Sequence, residues 1–243
     1  MVFDPATVTG NGLTTTHLTL AAASGGATTV FASPYTNGFN TIEGGGNTNV
    51  TVAGGPAGYA TVALGNGTDK ITLSGADNTV VTGNGNDTVT GAPGGQTTVT
   101  LGNGNNSVYI GGKDDIITLG NGTNTVLGTQ GMAFISTGSG KDTITVAGSG
   151  NTISAGGGTN VINAVDAGSD RFVMPVASQG FDTITGFLES NGDVLDLRAA
   201  LAATSWNGSA TKLANYLKVT DSGGNTNLAI AAKGTGAEPR SQH

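Results

Sequence analysis

Residues 99–126 read VTLGNGNNSVYIGGKDDIITLGNGTNTV, and in this stretch the aliphatic centres Val99, Val108, Ile117 and Val126 stand nine residues apart. The register extends backwards through Val89, Val80, Ile71 and Val62 and forwards through Ile135, Ile144, Ile153 and Ile162. Its only other step is the ten residues from Val89 to Val99. A helix does not place one Gly-rich turn in every nine residues, so the unit is a turn followed by a short strand. In a strand, residues two apart share a face. Each centre therefore pairs inward with the residue two positions later, as at Leu64, Leu73, Leu101, Ile110, Leu119 and Val146. The neighbours between them are mostly Thr, Ser or Asn and suit a solvated sheet surface, as Thr88, Thr90, Thr143 and Thr145 illustrate.

One nine-residue unit reverses the chain once, so two units make a coil of 18 residues. The fold class that follows is all-β: a parallel β-roll, a right-handed β-solenoid with two sheets packed through a narrow aliphatic core. Its regular part spans 61–165. Residues 1–60 carry weaker strands with irregular spacing and read as distorted coils or an N-terminal cap, and 166–243 read as a C-terminal capping region. Within that region Asp196 to Ala203 and Thr211 to Leu217 read as short helical stretches, and Lys218 to Ala231 as a hairpin around Ser-Gly-Gly-Asn.

Composition agrees. The chain has 243 residues, 43 of them Gly and only six Pro, which excludes collagen and places the Gly in turns. A formal net charge of −7 argues against nucleic acid and against anionic membrane surfaces, and makes cations the natural small partners. There is no Cys, hence no disulfide and no thiolate site. The N-terminus shows neither a basic segment nor an apolar one of the secretory kind.

Sorted by parity, the turns form two edges. One is regular: Gly65-Asn-Gly-Thr-Asp69, Gly83-Asn-Gly-Asn-Asp87, Gly102-Asn-Gly-Asn-Asn106, Gly120-Asn-Gly-Thr-Asn124, Gly138-Ser-Gly-Lys-Asp142 and Gly156-Gly-Gly-Thr-Asn160. The opposite edge reads as irregular, with only Asp114 and Asp115 suited to a cation. Stacked coils put equivalent residues about 4.8 Å apart, so charged Asp69 and Asp87 would repel by roughly 3.5 kcal/mol at an effective dielectric of 20. A divalent cation removes that repulsion, and calcium accepts the flexible oxygen set of carbonyl-lined turns better than magnesium does. The strongest site is expected between the turns holding Gly65, Gly67 and Asp69 and those holding Gly83, Gly85 and Asp87. Sites at Asn106, Asn124 and Asn160 are expected to be weaker or absent, because a neutral amide gives up the charge and an Asn ladder stacks without metal.

The regular edge resembles the RTX, or haemolysin-type, nonapeptide GGxGxDxUx. The resemblance implies calcium held between successive turns by Asp carboxylates and turn carbonyls. A second resemblance covers Gly168 to Ile230. Gly180-Phe-Asp-Thr-Ile-Thr-Gly-Phe187 followed by Gly192-Asp-Val-Leu-Asp-Leu-Arg198 is similar to the C-terminal target region of type I secreted RTX proteins. It implies export without an N-terminal signal, a secreted or cell-surface location, and Asp170 and Asp182 as further calcium ligands. Gly186 stands where that family usually has Asp, and the polar tail ending at His243 lacks the apolar tip of such signals.

Catalytic signatures are missing from the sequence. His17 and His243 lie at opposite ends, and there is no Gly-x-Ser-x-Gly elbow, Walker loop or zincin motif. Asp193 and Asp196, or Asp114 and Asp115, are better explained by a capping segment and a turn than as paired catalytic carboxylates. Outward Ile116 and Phe134, and Tyr109 and Leu127, fall eighteen residues apart and should stack as exposed apolar pairs suited to self-association or another partner. The expected function is a non-catalytic, secreted, calcium-binding structural roll serving as a matrix, adhesin or filament subunit. Two alternatives stand beside it: the C-terminal secretion and folding module of a larger secreted enzyme, and an ice- or carbohydrate-binding face using outward Thr.

Overall fold

The computed structural model of this protein describes residues 7–9, 16–20, 28–31, 40–44, 46, 49–53, 59–91, 94–176, 180–222, 225–231 and 233. The tail beyond Lys233 with His243, the side chain of His17, and Pro93 lie outside the described residues.

The chain is an all-β parallel solenoid. Its first sheet runs through Thr7–Thr9, Thr28–Phe31, Val50–Ala53, Lys70–Thr72, Thr88–Thr90, Ser107–Tyr109, Thr125–Thr129, Thr143–Ser149, Gly157–Gly168 and Gly180–Thr185. The second sheet alternates with it along the chain, through Thr16–Leu20, Asn40–Gly44, Ala60–Ala63, Asn78–Val81, Thr97–Leu101, Ile116–Leu119, Phe134–Ser136, Thr152–Ser154, Arg171–Val173 and Val194–Asp196. Every strand pair in these two sheets is parallel, and the strands within residues 1–60 add to the same sheets rather than forming a separate unit.

Register follows the aliphatic centres. Val108 lies beside Val89 and Val126 in the first sheet, and Val99 beside Val80 and Ile117 in the second. The two rows of centres face each other across the coil, and from Val62 to Ile153 every one is essentially without solvent exposure. A one-residue slip would turn each row outward, so burial itself fixes the register. Leu64, Leu73, Leu101, Ile110, Leu119 and Val146 complete the core as the two-residue spacing requires. Where that second inward position is not aliphatic it is Gly91 or Gly128, or buried Thr82 or Thr137, whose hydroxyls each find an acceptor.

The C-terminal end is closed by side chains larger than those of the coils. Phe172 is fully buried and its ring lies 5.9 Å from that of Phe187, with Met174, Ile184 and Leu195 against the same core. The helix Arg198–Ala202 buries Ala200 and Leu201. The second expected helical stretch is instead a 3₁₀ turn, Ala210–Asn215, with no buried residue. Lacking an apolar face packed on a partner, six residues cannot sustain an α-helix. The hairpin pairs Leu217–Ser222 with Asn225–Ile230.

Candidate cation sites at the coil edges

The turn Gly83-Asn-Gly-Asn-Asp87 shows how the regular edge is built. The Gly83 amide donates to the Gly65 carbonyl at 2.9 Å, and Gly67 and Gly85 meet as an isolated parallel bridge. The second glycine of each turn stacks on its counterpart one coil away. A Cβ on Gly104 would lie 1.6 Å from the Gly85 carbonyl oxygen, and Gly104 has φ +142°, so both space and backbone demand glycine. The same close approach recurs at Gly122, Gly140 and Gly158.

The last residue of each turn lies inward, not outward. Asp69, Asp87, Asn106, Asn124, Asp142 and Asn160 are all buried and form one continuous ladder. Asp87 Oδ1 accepts the Asp69 amide at 2.9 Å, Asn106 Oδ1 accepts the Asp87 amide at 3.0 Å, and Asn124 Oδ1 accepts the Asn106 amide at 3.2 Å. Asp142 Oδ1 accepts from Asn124 at 2.8 Å and Asn160 Oδ1 from Asp142 at 3.0 Å, while Asp182 ends the row by accepting the Asn160 side-chain amide at 2.8 Å. Each side chain thus supplies the coil before it with the acceptor that a buried turn amide needs.

The opposite edge is more ordered than its sequence suggests. Asn78 Oδ1 accepts the Ala60 amide at 3.0 Å, Asp115 Oδ1 the Thr97 amide at 2.8 Å, and Asn151 Oδ1 the Ala133 amide at 3.1 Å. Asp170 then accepts from Asn151 at 2.8 Å and Asp193 from Asp170 at 2.9 Å. A second inner ladder thus runs from Asn78 to Asp193 along the edge whose turns read as irregular, interrupted where Thr97 and Ala133 stand in its register. Asp115 and Asp170 belong here, and Asp69, Asp87, Asp142 and Asp182 to the first edge. Asp114 is an exposed turn residue at φ +59°.

Sequence reading missed Asn78, Asn151 and Asp193, although a usable signal was present. Each sits two residues before an inward centre, Val80, Ile153 and Leu195, as Asp69 does before Ile71. It also missed two outer ladders on the regular edge. In one, Asn66, Asn84, Asn103 and Asn121 accept backbone amides of the following coil, and in the other Asn86 and Asn105 do the same.

The carboxylates differ from the amides in what remains unsatisfied. The second oxygens of Asp69, Asp115, Asp142, Asp170 and Asp182 are buried without a hydrogen-bond partner among the described residues. Asp87 escapes this because the Thr82 hydroxyl donates to its Oδ2 at 2.6 Å. Burial pushes the Asp69 carboxyl up to about 6, against the lowering effect of the Val50 amide, and the neighbouring Asp87 charge adds to the rise. Asp115 is likewise raised to about 6 by burial, opposed by the Thr97 amide and reinforced by Asp114. Burial also raises Asp87, Asp142, Asp170 and Asp182.

Among the described residues no three Asp, Glu or His side chains converge on a point where a metal could sit. An ion at these edges would be held by one or two carboxylates together with turn carbonyls, a donor set that hard, oxygen-seeking cations accept. Asp193 and Asp196 serve structure: Asp193 joins the ladder and accepts the Leu188 amide, and Asp196 is paired with Arg171 and Arg198. Ile116 pairs with Phe134 and Tyr109 with Leu127, and all four are exposed on the sheet faces. No helix among the described residues is long and apolar enough to cross a membrane. No protein-family model, curated protein or solved structure matches this chain.

Proposed function

We propose that this chain is a non-catalytic, extracellular structural solenoid whose coil edges bind calcium and stiffen on doing so. The observation that carries the reading is the set of five buried carboxylate oxygens without a partner among the described residues, at Asp69, Asp115, Asp142, Asp170 and Asp182. A charged oxygen stripped of water and given no donor is costly, and only a proton or a cation relieves it. Near neutral pH in a calcium-rich medium the cation is the available partner. This is the arrangement that the resemblance to RTX nonapeptides implies, and export by a C-terminal signal would bring the chain to that medium.

Extracellular modules hold calcium with dissociation constants of about 10⁻⁴ to 10⁻³ M. At ten times that concentration each site adds roughly 1.4 kcal/mol to stability. Several sites acting together convert a marginal roll inside the cell into a rigid one outside. The exposed pairs Ile116 with Phe134 and Tyr109 with Leu127 then offer apolar contact for lateral association.

Equilibrium dialysis in millimolar calcium, with far-UV circular dichroism in calcium and in chelator, tests the reading. Bound calcium and a higher thermal midpoint are expected, and absence of bound calcium would overturn it. Electron microscopy in both conditions reports on assembly.

A further inference from the structure

The two inner ladders mix Asp and Asn at equivalent positions, and the structure shows what the amide does there. Asn106 Oδ1 accepts a backbone amide as an Asp would, and its Nδ2 turns to the carbonyls of its own turn, donating to Gly102 at 3.1 Å and Gly104 at 3.3 Å. Asn124 donates to Gly120 at 3.1 Å and Asn160 to Ala155 at 3.0 Å. On the other edge Asn78 donates to Gly75 at 2.6 Å, and Asn151 to Ala147 and Gly148. Asn106, Asn124, Asn151 and Asn160 also pass an Nδ2 hydrogen to the ladder residue of the next coil.

Asp and Asn have the same shape. With Oδ1 fixed by the same backbone bond, the second oxygen of an Asp would take the place of the amide nitrogen and would have no hydrogen to offer the turn carbonyls, and it is satisfied only where a donor such as the Thr82 hydroxyl reaches it. The partnerless oxygens of Asp69, Asp115, Asp142, Asp170 and Asp182 are this substitution seen from the other side.

We infer that Asn78, Asn106, Asn124, Asn151 and Asn160 are built-in substitutes for an ion, closing their own turns so that those coils fold without one and take up none. Ion dependence is thereby confined to the Asp coils. Between Asn106 and Asn160 only Asp115 and Asp142 leave an oxygen open, whereas Asp170 and Asp182 follow one another at the C-terminal end. The chain holds a largely ion-independent middle next to an ion-dependent end. This rests on the calcium reading only for the identity of the ion; the satisfaction of Asn turns stands by itself.

Amide hydrogen exchange on the full chain at neutral pH, in chelator and in calcium, tests it with two opposite variants. Asp142→Asn supplies the missing donor and should slow exchange at Asn124 and Thr143 about tenfold in chelator. Asn106→Asp removes its donor and should speed exchange at Asp87 and Ser107 by a similar factor in chelator. Calcium should restore the second variant. By dialysis, Asp142→Asn should bind one ion fewer than the natural sequence and Asn106→Asp one more. Unchanged or faster exchange in Asp142→Asn overturns the inference, as does unchanged exchange in Asn106→Asp. Should Asn106→Asp fail to fold in chelator but fold in calcium, the inference holds, and Asp69→Asn repeats the stabilising arm at a second coil. If the natural sequence binds no calcium while Asp142→Asn is still protected in chelator, the calcium reading falls and this one stands.

Discussion

Replacing Gly104 with Ala measures how tightly the coils are stacked. The added Cβ would stand 1.6 Å from the Gly85 carbonyl oxygen and 2.5 Å from its carbon, and the residue would keep φ at +142°. The backbone strain alone is about 1–3 kcal/mol for a residue with a side chain. Relieving the clash requires the two coils to separate. The Gly104 amide also donates to the Asn121 carbonyl at 2.8 Å, so moving Gly104 off one neighbour strains its bond to the next. Overpacking of this kind adds about 1–3 kcal/mol, and the sum, roughly 2–6 kcal/mol, is a large part of the 5–15 kcal/mol that typically holds a domain together. Gly94→Ala is the control. Its Cβ would meet nothing within 4 Å, and its φ is not in the left-handed range. It should be neutral or stabilising by up to about 1 kcal/mol, because it restricts only the unfolded chain. Urea denaturation followed by far-UV circular dichroism should put the midpoint of Gly104→Ala far below that of Gly94→Ala. Unfolding free energies within about 0.5 kcal/mol of each other would refute the stacking argument, since an alanine at a stacked turn and one in open space would then be equivalent.

Thr82→Val keeps shape but removes the hydroxyl that donates to Asp87 Oδ2, leaving a sixth partnerless oxygen; a loss of about 1–3 kcal/mol in thermal or urea denaturation is expected. In chelator, stability should fall as pH rises from about 4 through 6. The folded chain holds protons on Asp69 and Asp115 up to about 6, whereas the unfolded chain releases them near 3.8, so the folded state is favoured on the acid side of that window. A denaturation midpoint that climbs with pH across the window contradicts this, and calcium should flatten the slope. Arg171→Ala should cost about 1 kcal/mol or less, since the Arg171 side chain is 41% exposed and Arg198 still holds Asp196. Removing both arginine side chains should cost more than the sum of the single losses, up to about 3–5 kcal/mol, because it leaves the buried Asp196 carboxylate without a counter-charge and with only the residue-198 backbone amide as donor.

The core was legible because its signal is periodic and its physics simple: an aliphatic centre every nine residues must face inward, and the centres from Val62 to Ile153 do. The glycines of the regular edge were legible for the same reason. The second ladder was not, because the turns that carry it differ in length and glycine placement, so their glycines share no common frame. Aligning on the offset from the core would have placed Asn78, Asp115, Asn151, Asp170 and Asp193 in one row. The partner of Asp87 was hidden differently. Thr82 occupies an inward position expected to be aliphatic, and its hydroxyl is useful only because the residue five positions on is an acid. The same spacing recurs at Thr137 and Asp142, where the hydroxyl donates to the Ala155 carbonyl at 2.9 Å, so the spacing alone does not tell which acid is satisfied.

The mixture of Asp and Asn on one buried ladder sets stability against responsiveness. In the chain without ions, an amide satisfies both the coil before it and its own turn, whereas an acid of the same shape satisfies the first and leaves an oxygen bare. If the fold called only for stability in the absence of ions, Asn would serve at every position of both ladders. Each bare carboxylate instead makes its coil depend on something outside the chain, a proton or a cation. The Thr82 hydroxyl shows that a carboxylate can be satisfied from within. On the proposed reading, Asp69, Asp115, Asp142, Asp170 and Asp182 are where the solenoid would respond to the medium, and the Asn positions, satisfied from within, are where it would not.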